Sequence, residues 1–200
     1  MKFHIITADC GLDCSSDFGA QEKDLTRVFI GQLLLALAIS SKGTNYFFKL
    51  FSVYLHLTQD FVYLAGLFFD EVYLCRTLTT KPESGENYLV LKGFNKDVDY
   101  MDGVLEKLYE WYINPSPLAS IFKSNVINSQ YYENMFDINT VLTMRRVTSI
   151  NFLLYRFNNG FYAKKHKEIH EYIKKLVQHY VDYFINFYSI KQLDKSKKLN

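Results

Sequence analysis

Asp9, Lys49 and Glu86 are the residues of this chain whose types and settings point to proton transfer. Asp9 closes an apolar segment, His4-Ile5-Ile6-Thr7-Ala8-Asp9-Cys10-Gly11. Lys49 is embedded in an aromatic one, Asn45-Tyr46-Phe47-Phe48-Lys49-Leu50-Phe51. Glu86 belongs to Lys81-Pro82-Glu83-Ser84-Gly85-Glu86-Asn87-Tyr88-Leu89-Val90, a turn that delivers it to the mouth of a strand. Brought to one edge of a sheet, the three would set a lysine between two carboxylates. A lysine accepts a proton only when neutral; carboxylates beside it raise its pKa, and burial or a second cation lowers it. Taken singly, each residue has an ordinary explanation. Many strands end in Asp, a strand Lys protects a sheet edge, and a Glu before a strand is solvated. Their joint occurrence on successive strands argues for a site.

The elements that must position these residues follow from hydrophobic period. Phe3 to Ala8 is apolar and β-branched, which predicts a strand buried on both faces of a parallel sheet. Cys10 to Gly19 reads as a loop. Gln21 to Ser40 repeats Leu25, Val28, Phe29, Gln32, Leu33, Ala36 and Leu37 at three-four spacing, a helix ended by Lys42-Gly43-Thr44. Strands are expected over Asn45 to Phe51, Phe69 to Cys75 and Tyr88 to Phe94, with a short helix from Thr58 to Leu67. Strands alternating with helices predict an α/β fold with a mainly parallel sheet, its last two strands pairing antiparallel at one edge. After Asn95 the pattern turns helical: Val98 to Tyr112, Ile138 to Phe157 and Tyr162 to Tyr188. Pro115 and Pro117 break the first of these. The last carries a stripe of Ile169, Ile173, Leu176, Tyr180, Phe184 and Tyr188, expected to be core. The division expected is 1–96, α/β, and 97–200, helical.

Composition sets outer limits. In 200 residues, 48% hydrophobic content is enough for a real core, and 16 Tyr and 17 Phe against 3 Pro exclude a low-complexity chain. The formal net charge of +2 implies no polyanion partner by itself, but residues 161–200 hold nine Lys against four Asp or Glu. Three cysteines, Cys10, Cys14 and Cys75, form no disulfide framework, and no second Cys or His pair completes a zinc site with the first two. No signal segment and no run as long as a membrane span is present. A soluble, intracellular protein with reduced thiols is the expectation. The richness in Asn, Lys, Tyr, Phe and Ile suits an AT-rich genome, such as that of a large DNA virus.

Five segments follow one another in a telling order: Ala8-Asp9-Cys10-Gly11; Gln21-Glu22 ahead of a helix holding Gln32-Leu33-Leu34-Leu35-Ala36-Leu37; Phe48-Lys49-Leu50-Phe51; Glu71-Val72-Tyr73; and Thr80-Lys81-Pro82-Glu83-Ser84-Gly85-Glu86-Asn87-Tyr88-Leu89-Val90-Leu91-Lys92-Gly93-Phe94. In order and spacing, roughly residues 3 to 95 resemble the FtsJ-like methyltransferases, most closely the cap-specific mRNA ribose 2'-O-methyltransferases. The resemblance implies the C-terminal half of a Rossmann-like methyltransferase sheet, from its Asp-bearing strand onward, followed here by an all-helical extension. It implies S-adenosyl-L-methionine as cofactor, with Asp9 and Cys10 beside it, and RNA, notably capped mRNA, as partner. The family uses a Lys-Asp-Lys-Glu tetrad, in which Asp9 is the Asp, Lys49 the second Lys and Glu86 the Glu. The family's first Lys and Gly-rich cofactor loop precede the Asp strand and are not in this sequence. Nor does it hold an acidic residue at a second-strand end for the cofactor ribose. The chain is therefore expected to depend on an N-terminal half for cofactor binding. One departure is Lys81, near where the family commonly carries Arg.

Among further candidates, Lys81, Lys164 and Lys165 are the expected RNA contacts, with Lys167, Lys174, Lys175 and Arg145-Arg146 open to the same reading or to that of a solvated helix face. His166 and His170 share a helix face, but Lys167 stands where the zinc-protease motif needs Glu. The function expected is S-adenosylmethionine-dependent ribose 2'-O-methylation of RNA. The alternative is a non-catalytic RNA- or partner-binding module derived from the same fold.

Overall fold

The structure is a computed structural model that describes residues 2–14, 16–17, 19–77, 80–96, 98–114, 120–122, 126–160 and 167–189. Element order is β1 (Ile5–Ala8), α1 (Gln21–Ile39), β2 (Asn45–Leu50), α2 (His56–Gly66), β3 (Phe69–Cys75), β4 (Asn87–Phe94), α3 (Val98–Ile113), α4 (Ser129–Asn158) and α5 (Lys167–Phe187). The chain divides into two compact units, Met1–Ser149 and Ile150–Asn200.

The first unit is built on a four-stranded sheet of order β1-β2-β4-β3. β1 pairs parallel with β2, and β4 pairs antiparallel with both β2 and β3. Three strands thus run one way, and the reversed β4 lies inside the sheet, not at its rim. This is the expected α/β architecture, consistent with a partial Rossmann-like methyltransferase sheet with a helical extension, but the sheet is mixed and not mainly parallel as expected, since two of its three pairings are antiparallel. The direct β3–β4 pairing was legible because no helix separates them; the insertion of β4 beside β2 was not.

Period two selects the core face. Tyr46, Phe48 and Leu50 of β2 and Asn87, Leu89 and Leu91 of β4 are buried, while the residues between them are not. Onto that face α1 brings Leu25, Phe29, Leu33, Ala36 and Leu37, and α2 brings Phe61, Val62 and Ala65. Phe29, Phe48 and Phe61 meet ring to ring, with centroids 5.6 to 5.9 Å apart. The Tyr46 hydroxyl donates to the Gln32 carbonyl at 2.8 Å, and burial pushes its pKa well up. After α1 the chain reverses through Gly43 at φ +86, a left-handed conformation that glycine adopts without strain.

The expectation that β1 is buried on both faces is corrected. Its residues alternate between exposed and half-buried, and Ile5 is 67% exposed. Among the described residues β1 is an edge strand bonded to β2 alone, and apolar composition by itself does not tell a two-face strand from an edge.

The helices after residue 96 begin inside the first unit. Arg27 of α1 donates to the Tyr112 carbonyl of α3 at 2.9 Å and stacks over that ring, while Met101 and Leu108 join the core. α4 starts nine residues before the expected Ile138. Its first turns are held by tertiary bonds: Tyr131 to the Gln59 carbonyl at 2.6 Å, and Tyr132 to Asp60 at 2.7 Å. Docking, not propensity, extends the helix. Asp60 is fully buried and also accepts from the Ser120 hydroxyl and from the Ile121 N–H at 2.9 Å.

In the second unit, the expectation that the α5 stripe is core is corrected: Ile173, Leu176, Tyr180, Phe184 and Tyr188 are exposed. Helical spacing records an apolar face; it does not say what covers it. Among the described residues no helix is long and apolar enough to cross a membrane.

Candidate active site

The site follows from strand register. In the parallel β1–β2 pair Ala8 lies beside Phe48, so the next residues along, Asp9 and Lys49, leave the sheet side by side. In the antiparallel β2–β4 pair Lys49 faces Tyr88, which brings Glu86, two residues back, to the same place. Lys49 Nζ lies 3.0 Å from Asp9 Oδ1 and 3.7 Å from Glu86 Oε2. The Lys49 and Glu86 side chains are 23% and 26% exposed and that of Asp9 is 73% exposed, so the cluster sits at an open mouth. The hydrogen bond from Lys49 to Asp9 raises the lysine pKa above its ordinary value; burial opposes it by less, and the Glu86 charge adds a further, smaller raise.

Glu86 is positioned from several sides. The Tyr88 hydroxyl donates to its Oε1, which raises the tyrosine pKa. Its N–H donates to Ser84 Oγ at 3.1 Å. Asn87, next along, is buried and donates its amide to the Phe51 carbonyl at the end of β2 and to the Gly85 carbonyl at 2.9 Å. Arg76 Nη2, just past β3, donates to the carbonyls of Lys81 at 2.8 Å and Ser84 at 3.0 Å. Sequence reading missed Tyr88, Asn87 and Arg76 as supports. Tyr88 alone carried a signal: two residues from Glu86 on a strand, it shares that residue's face.

The other expected residues fall as follows. Cys10 is exposed, its N–H 3.4 Å from Gln32 Oε1, and it lines a cleft of about 820 Å³ with Leu12, Gln32, Tyr109 and Tyr112. Lys81 is exposed on the turn that carries Glu86. Lys164 and Lys165 lie outside the described residues. Among the described residues no group of three or more His, Cys, Asp or Glu is placed to hold a metal ion.

Chemically, the arrangement is an ammonium held by two carboxylates beside a cleft. It can orient a hydroxyl and take its proton once the lysine is neutral. For S-adenosylmethionine the donor set is one-sided. Asp9 offers a carboxylate at a strand end, where ligands bind in open α/β sheets, and Cys10 stands next to it. Nothing among the described residues forms a Gly-rich cradle, so these residues fit one flank of the cofactor and not the whole.

No family model matches the chain. It is 30% identical over 104 residues to cap-specific mRNA (nucleoside-2'-O-)-methyltransferase 2 of Drosophila melanogaster, covering 52% of this chain and 15% of that protein. Against cap-specific mRNA (nucleoside-2'-O-)-methyltransferase 1A of Caenorhabditis briggsae it is 29% identical over 152 residues, 72% of this chain and 17% of that one. Against the probable methyltransferase EP424R of African swine fever virus (isolate Pig/Kenya/KEN-50/1950) it is 28% identical over 180 residues, 88% and 41% of the two. The chain therefore spans between about a seventh and two fifths of the length of these curated relatives. With the sheet order and the strand-end cluster, these similarities to cap-specific mRNA (nucleoside-2'-O-)-methyltransferases and to a viral methyltransferase support an FtsJ-like assignment for the chain.

Proposed function

We propose that this chain supplies the acceptor-side residues of an RNA ribose 2'-O-methyltransferase that acts on capped mRNA. The observation that carries the reading is Lys49 Nζ held between Asp9 and Glu86 at the sheet's mouth. S-adenosylmethionine, when bound, supplies an electrophilic methyl group on sulfonium sulfur. The residues of this chain work on the acceptor. Lys49 hydrogen-bonds the ribose 2'-oxygen and, when neutral, takes its proton as the new carbon–oxygen bond forms and the sulfur–carbon bond breaks. Asp9 and Glu86 fix the direction of the Lys49 amine. They also hold it protonated, so turnover needs an opposing push from burial under bound substrate or from a second cation. The family's first lysine and Gly-rich loop would come from a region outside this sequence.

The test is methyl transfer from S-adenosylmethionine to capped RNA by the protein that carries this sequence, with the methylated atom located by nuclease digestion and mass spectrometry. Label on a ribose 2'-oxygen, lost in Lys49→Ala with the circular dichroism unchanged, is expected. Near-normal transfer by Lys49→Ala overturns the role of Lys49. RNA binding without transfer by the unaltered protein favours the non-catalytic alternative.

A further inference from the structure

Two arginines reach the turn that carries Glu86, and they are used differently. Arg76 Nη2 is bound to turn carbonyls at 2.8 and 3.0 Å, with a longer approach of 3.4 Å to the Pro82 carbonyl, and so holds the turn's shape. Arg146 comes from α4. That helix is anchored on the exit of β2 by Asn139, whose amide donates to the Val53 carbonyl at 2.7 Å, and by Thr143, whose hydroxyl is 2.9 Å from the Tyr54 hydroxyl. Residues 139, 143 and 146 share one helix face, so the anchors aim Arg146 inward and leave Arg145 exposed.

Arg146 is half-buried, yet it makes little use of its charge. Nε donates to the Glu83 carbonyl at 3.3 Å, and no carboxylate lies within ion-pair distance of the guanidinium among the described residues. It lines a cleft of about 440 Å³ with Phe51, Ser52, Tyr54, Ser84 and Gly85. Two acidic residues are in the lining: Glu22, 7% exposed, accepts the Leu55 N–H at 2.8 Å, and Glu83, half-buried, meets Arg146 through its backbone carbonyl and not as an ion pair. The cleft adjoins the cluster, for Phe51 has Lys49 Nζ 5.6 Å from its ring centroid, and Ser84 and Gly85 lead directly into Glu86. Ser84 Oγ accepts from Glu86, so its own proton is available to a ligand. A Cβ at Gly85 would stand 3.5 Å from Arg146 Nη1 and 3.3 Å from Ser52 Oγ, so glycine keeps this approach to the guanidinium open.

We propose that Arg146 is a phosphate-binding residue, and that the Phe51–Ser84–Arg146 cleft takes a phosphate of the RNA next to the ribose at Lys49. The inference deepens the reading of the chain as part of an RNA methyltransferase and rests on it. A planar guanidinium meets phosphate through two parallel hydrogen bonds, and the Ser52 and Ser84 hydroxyls flank the same space.

The test is binding of a short capped RNA to the full chain by fluorescence anisotropy over a salt series, for the unaltered protein and Arg146→Ala, Arg146→Lys, Arg145→Ala and Gly85→Ala. Loss of one phosphate contact should weaken binding about tenfold in Arg146→Ala and lower the slope of log K against log salt by about one. Arg146→Lys should keep the slope and recover only part of the affinity. Gly85→Ala, which obstructs the cleft without touching charge, should weaken binding at unchanged slope, and it serves as the second probe if Arg146→Ala does not fold. Arg145→Ala should bind like the unaltered protein. The proposal is overturned if the unaltered protein binds RNA and both Arg146→Ala and Gly85→Ala bind equally well, or if Arg145→Ala loses as much as Arg146→Ala. An unaltered protein that binds no RNA sinks the RNA reading itself, and this inference with it.

Discussion

Lys49 and Tyr88 are direct cross-strand partners in the β2–β4 ladder, and the Tyr88 hydroxyl donates to Glu86, the second carboxylate on Lys49. The antiparallel register thus supplies both the carboxylate and the group that steers it. The Tyr88 ring also packs on Phe47, centroids 5.0 Å apart, which limits where its hydroxyl can point.

Tyr88→Phe keeps that packing and removes only the hydroxyl. With a hydrogen bond to a charged group lost, turnover should fall about tenfold, an effect of ~1.5 kcal/mol. KM for RNA should stay near its starting value. Steady-state kinetics that show the loss in KM instead would make Tyr88 a substrate contact.

The pH dependence has a definite sign. The Lys49 pKa is raised, first by its hydrogen bond to Asp9. A raised lysine contributes stability that is fully present below its unfolded value of about 10.4 and is lost as pH rises through the folded value. Asp9→Asn removes the leading cause, so the Lys49 amine should titrate at lower pH, and alkaline loss of stability at this site should shrink. Lysine side-chain nuclear magnetic resonance over an alkaline series reads the shift directly; an unmoved titration would separate Asp9 from Lys49 in solution.

Asp60 should matter to stability more than to chemistry. It is fully buried and takes hydrogen bonds from Tyr132, Ser120 and the Ile121 N–H. Asp60→Ala leaves these donors without an acceptor and should cost about 3 kcal/mol, and Tyr132→Phe about 1 kcal/mol. Urea unfolding of the two variants checks the ranking.

Gly31 sits inside α1 where Tyr112 of α3 packs closest, and a Cβ there would meet that ring at 2.8 Å. Alanine within a helix is ordinarily favoured over glycine by about 1 kcal/mol. Here overpacking should win, for a net loss of about 1 to 2 kcal/mol. A double-mutant cycle with Tyr112→Ala checks the cause, because the penalty should shrink once the ring is gone.

Much of the fold was legible in the sequence. The β3 limits, Phe69 to Cys75, agree with the reading to the residue, and α1 differs by a single residue at its end. Both are written in local period and bounded by turn residues. The burial of β1 was misread because apolar composition alone does not count a strand's neighbours. The start of α4 was misread because its first turns hold through Gln59 and Asp60, some seventy residues away.

For the site, the sequence by itself singled out the three candidate residues that the fold brings together: an Asp after the first strand, a Lys within the second, a Glu before the fourth. Strand period puts such residues at strand ends or on a known face. Only the tertiary structure decided that β4 lies between β2 and β3, so that Tyr88 faces Lys49 and Glu86 reaches it. It alone decided that Arg76 and Arg146 converge on one turn from separate elements. Pairing partner, register and helix docking are set by contacts between residues far apart in the chain, and no local period encodes them.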